Sequence, residues 1–151
     1  NSLNEGATEL FSRMIAEKAG ISTKHEFGKE GYDIYVRDTE TLLRKIGDQS
    51  MDDKNISKEA IAELLNDYTK KEGTLKIGRL LNEKIGPHAL VLFDVLSGSG
   101  GENNFYNFTK SLEDFKAGKE AREIIIRKDD LQNYSVSEDT LLRSYPFLKF
   151  E

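Results

Sequence analysis

Pro87-His88-Ala89-Leu90-Val91-Leu92-Phe93-Asp94-Val95-Leu96 is the stretch on which the fold turns. Read as a helix, it makes the chain helical throughout its middle. Read as a strand leading into Ser97-Gly98-Ser99-Gly100-Gly101, it opens a nucleotide-binding α/β unit. The run is apolar nearly all round, so periodicity alone does not choose between the two. Its surroundings favour the helix: Pro87 after Gly86 suits the first helical position, where a missing N–H costs nothing, and the flanking segments have helical spacing. A dinucleotide fingerprint also needs a third glycine for close approach to phosphate, and Asn103 stands where Gly-x-Gly-x-x-Gly would end. A central buried helix is therefore expected over residues 88–96, with the strand as its alternative.

Upstream, residues 74–85 carry Leu75, Leu80, Leu81 and Ile85 at helical spacing, despite a Gly78 that costs about 1 kcal/mol against alanine. Before them Ser57 suits an N-cap, the buried stripe of its helix being Ile61, Leu64, Leu65 and Tyr68 and its stop Gly73. Residues 33–46 bring Ile34, Tyr35, Leu42, Leu43 and Ile46 together, and Gly47-Asp48 ends them in a polar loop. Nearest the start, Ser2 with Glu5 forms a capping-box pattern ahead of Ala7, Leu10, Phe11, Met14 and Ile15 on one face. Downstream, residues 103–115 set Phe105, Phe108, Leu112 and Phe115 on one aromatic face, which is assigned to the core. Ile124-Ile125-Ile126, β-branched and flanked by charge, fits a short strand or a helix end, and residues 139–145 form a last short helix before Pro146.

The expectation is a mainly α protein, a single irregular helical bundle of about six helices with a short strand near Ile124 to Ile126. One domain over residues 1–151 is expected, its helical core spanning 1–118 and its C-terminal extension 119–151. A chain of 151 residues buries roughly 70% of the surface its unfolded form exposes, enough for one real core.

Composition narrows the function. With 37% hydrophobic and 32% charged residues the chain reads as soluble, and no apolar run approaches the ~20 residues of a membrane span. A formal net charge of −5 with no Lys/Arg stripe argues against nucleic acid as a partner. The absence of cysteine excludes disulfides, thiolate metal sites and thiol nucleophiles. Two histidines, His25 and His88, leave little room for histidine-based catalysis. Ser97 and Ser99 lack the Gly-x-Ser-x-Gly frame of a serine hydrolase, so His88 is read as a helix-start residue rather than a general base. The carboxylates fall on polar faces, with no pair marked by apolar neighbours as a raised-pKa acid. Asn1 in place of an initiator Met is what a piece of a longer polypeptide would show.

One spacing is chemically suggestive. In Asn4-Glu5-Gly6-Ala7-Thr8-Glu9 the two carboxylates lie at i and i+4, one turn apart on a helix face. The stretch resembles the helix that supplies the third metal ligand in zincin-type metallopeptidases of the glutamate-ligand class, and the helical C-terminal part of such domains in bacterial polymorphic-toxin proteins. The resemblance implies Glu5 as a zinc ligand and Glu9 as the residue that orients a ligating histidine. His-Glu-x-x-His, which would supply the other ligands, is missing; His25-Glu26-Phe27-Gly28-Lys29 puts lysine in place of the second histidine. One carboxylate does not hold catalytic zinc. The chain by itself is therefore expected to be non-catalytic and to carry no cofactor. Zinc would belong to a parent metallopeptidase that supplies histidines from an upstream part of the same polypeptide. On the plainer reading Glu5 completes the capping box and Glu9 faces solvent. The second functional reading is a helical protein-interaction module of bacterial or phage origin, with a protein partner and no membrane.

Overall fold

The computed structural model describes residues 30–69, 75–97 and 104–151. Over these residues the chain is mainly helical, with a short strand pair. The capping box at Ser2, Glu5, Glu9, His25 and the glycine turn at 98–101 lie outside the described residues.

Helix α1, Glu30–Ile46, starts three residues before the expected Asp33 and buries Leu42, Leu43 and Ile46. Its end is a Schellman turn: Gln49 N–H reaches the Arg44 carbonyl (2.8 Å) and Asp48 N–H the Lys45 carbonyl (3.3 Å). The left-handed residue of that turn is Asp48 (φ 52°) rather than Gly47, a position aspartate tolerates better than most side chains. The polar loop that follows is tied down by Gln49, which accepts from Ser57 N–H (2.7 Å) and donates to the Asn55 carbonyl (2.8 Å). Ser57 then caps α2, Lys58–Thr69, its Oγ accepting from Ala60 N–H (3.3 Å). Helix α3, Leu75–Lys84, buries Ile77, which the helical stripe read from sequence had omitted, beside Leu81.

The deciding stretch is a helix, α4, Ala89–Ser97. It packs against α1, α3 and α5, which explains why it is apolar nearly all round. Pro87 is not its first residue. The His88 carbonyl accepts from Leu92 N–H (3.0 Å), making His88 the cap, with φ 59°, so the helix begins one residue after the start of the expected range 88–96. Tertiary contact sets this turn: Tyr145 Oη donates to the Pro87 carbonyl (2.7 Å) and lies against Gly86.

Helix α5, Asn104–Lys116, turns Phe105, Phe108 and Leu112 inward. Phe115, expected on the same buried face, is 45% exposed, because it lies at the helix end and touches only the edge of the core through Phe147 (ring centroids 6.0 Å apart). A second Schellman turn, with Gly118 at φ 73°, closes α5. Ile124–Ile126 is a strand, β1, as the β-branched run allowed. Its partner β2, Leu148–Phe150, runs parallel in the register Ile124 to Leu148 and Ile126 to Phe150. The crossover between them carries two short helices, α6, Lys128–Leu131, and α7, Glu138–Ser144. One cluster of buried side chains runs from Leu42 on α1 to Leu148 on β2.

Candidate functional site

The polar face of α1 repeats at helical spacing: Arg37, then Glu40 and Thr41, then Arg44. Its opposite face is anchored by Leu42, Leu43 and Ile46; within the row Arg37 is exposed, Glu40 and Arg44 are half-buried and Thr41 is buried. The first turn of α5 brings Tyr106 against the row. Together Arg37, Glu40, Thr41, Arg44 and Tyr106 line a half-open cleft of about 240 Å³.

Asp38 fixes that juxtaposition. It points away from the cleft and is wholly buried, with Oδ1 accepting from Tyr106 N–H (3.2 Å). A side chain of α1 thus caps the free amides at the start of α5, a role sequence-local residues usually fill. Burial pushes the Asp38 carboxyl up from 3.8 to about 6, against the lowering effect of the Tyr106 amide, the nearby Ser97 hydroxyl and the Phe105 amide. Ser97 Oγ, Thr39 Oγ1 and Asp38 Oδ2 are buried without a hydrogen-bond partner among the described residues. The reading of the carboxylates as uniformly polar-faced is corrected here: Asp38 is a single, deeply buried acid whose environment comes from α4 and α5.

The two arginines of the cleft differ. Arg44 is held in place, donating from Nε to the Asp53 carbonyl (3.0 Å) and from Nη2 to Glu40 Oε2 (3.4 Å). Arg37 is exposed and makes no ion pair among the described residues. At the rim, Lys110 Nζ lies 5.8 Å from the Tyr106 ring centroid, within cation–π range. Among the described residues the lining thus holds two guanidinium groups and one carboxylate, Glu40, on a chain whose net charge is −5.

Elsewhere, Tyr134 hydrogen-bonds Asp94, linking the crossover to α4; burial first, and then the Asp94 carboxylate, push its hydroxyl up to about 12. His88 sits at the α4 cap, as a helix-start residue should. Glu5 and Glu9, the residues assigned to metal by resemblance, and Ser99 lie outside the described residues. Among the described residues no group of three or more His, Asp or Glu could hold a metal, and no helix is long and apolar enough to cross a membrane.

The arginine row was in principle readable from its spacing on a segment already taken as helical. Its pairing with Tyr106 was not, because the two are remote in sequence. Comparison with protein-family models, with curated proteins and with solved structures gives no match for this chain.

Proposed function

We propose that this chain is a helical protein-interaction module whose contact surface is the cleft between α1 and the start of α5. The observation that carries this is Arg37: a guanidinium without an ion pair among the described residues, on a cleft whose remaining walls are fixed by Asp38 and by the Arg44 tether. At about 240 Å³ the cleft is smaller than a typical small-molecule pocket of roughly 300–1,000 Å³. It suits one or two side chains of a polypeptide better than a whole cofactor. Arginine and tyrosine are also the residue types enriched among binding hot spots.

Panning displayed random peptides on the full chain tests the reading. Selected peptides should lose binding to the Arg37→Ala and Tyr106→Ala variants while thermal melting stays unchanged. Peptides that bind all three proteins equally would remove the cleft as the contact surface.

The zincin-like spacing of Glu5 and Glu9 supports a second reading, in which the chain contributes one metal ligand to a larger metallopeptidase-related protein. On that reading zinc titrated into this chain alone binds neither tightly nor at one equivalent, since one carboxylate is too few ligands. Tight stoichiometric binding would overturn the assignment of the other ligands to an upstream segment.

A further inference from the structure

We infer that the cleft recognises a carboxylate on its partner: an aspartate or glutamate side chain, seated between Arg37 and the Tyr106 ring. The inference rests on the proposed interaction role and adds the chemistry of the ligand. Charge decides it. Among the described residues the cleft lining sets Arg37 and Arg44 against a single acid, Glu40, which already hydrogen-bonds Arg44, so the cleft keeps an unmatched positive charge on an acidic protein, with Lys110 close to the Tyr106 ring. Asp38, next to Arg37 in sequence, directs its oxygen to the Tyr106 amide of α5 rather than into the cleft. An exposed guanidinium beside a tethered one is suited to the flat, two-oxygen geometry of a carboxylate. Three cations are too few to track a nucleic-acid backbone on a chain of this net charge.

The test uses the full chain and three peptide pools identical except for a fixed central residue, Glu, Gln or Lys. The Glu pool should bind about tenfold more tightly than the Gln pool, and that preference should vanish in Arg37→Glu and shrink with added salt. Glu40→Gln removes the internal competitor and should tighten the Glu pool further. Glu and Gln pools that bind equally, yet both weaken in Tyr106→Ala, would overturn the carboxylate and leave the interaction reading standing. Pools indifferent to Tyr106→Ala would overturn both. Inorganic phosphate that displaces the Glu pool where acetate at equal ionic strength does not would assign the site to phosphoryl groups instead.

Discussion

Asp38 couples the core to pH. Its carboxyl titrates near 3.8 in the unfolded chain and near 6 in the folded one. Between those values the folded state holds a proton that the unfolded state has released, so stability falls as pH rises from about 4 to about 6 and is level above. The drop amounts to at most about 3 kcal/mol. Asp38→Asn keeps an acceptor for Tyr106 N–H and removes the buried charge. Urea unfolding across this range should lose its slope in the variant, with a gain at neutral pH of about 1–3 kcal/mol. A second residue-scale prediction concerns Gly86, whose φ of 152° disfavours any side chain and where a Cβ would lie 2.6 Å from Tyr145 Oη. Gly86→Ala should cost about 2–4 kcal/mol through strain and clash. Tyr145→Phe alone, losing the bond to the Pro87 carbonyl, should cost about 1 kcal/mol. Because the phenolic oxygen is the clashing atom, the double variant should cost less than the sum of the two, a non-additivity that equilibrium unfolding measures directly.

Among the elements, α2 depends on local chemistry and α5 on tertiary chemistry for their starts. Ser57→Ala removes the α2 cap and should cost about 1 kcal/mol, read from the urea midpoint. In α5 the two ends of the aromatic face should separate sharply: Phe108→Ala, wholly buried against Phe105, Tyr145 and Phe147, should cost about 3–5 kcal/mol, and Phe115→Ser little. Equal costs would mean that Phe115 is covered in solution. The same contrast shows what spacing can and cannot reveal. Helical periodicity puts both rings on one side of α5, but whether a neighbour covers the last turn depends on how Phe147, remote in sequence, packs against it. The strand Ile124–Ile126 was visible as a β-branched run, whereas its partner Leu148–Phe150 was not, since parallel pairing joins segments separated by a whole crossover.

For the whole molecule, the cluster of buried side chains linking α1 through α4 to β2 predicts one cooperative transition of the described region. Far-UV circular dichroism, reporting the helices, and tyrosine fluorescence, reporting the surroundings of all six tyrosine rings, should give coincident urea curves. Separate midpoints would show that the chain unfolds in more than one step. By itself the sequence determined the helical character of the middle of the chain, the cap at Ser57, the stop after Ile46 and most of the inward faces. These follow from hydrophobic spacing and capping groups within a few residues of one another. Only the tertiary structure decided that the turn at Gly86 to His88 is shaped by Tyr145, that Asp38 is buried as the cap of a distant helix, and that Arg37 and Tyr106 share a cleft. Each of these depends on which faces meet across long stretches of chain, and local periodicity carries no information about that.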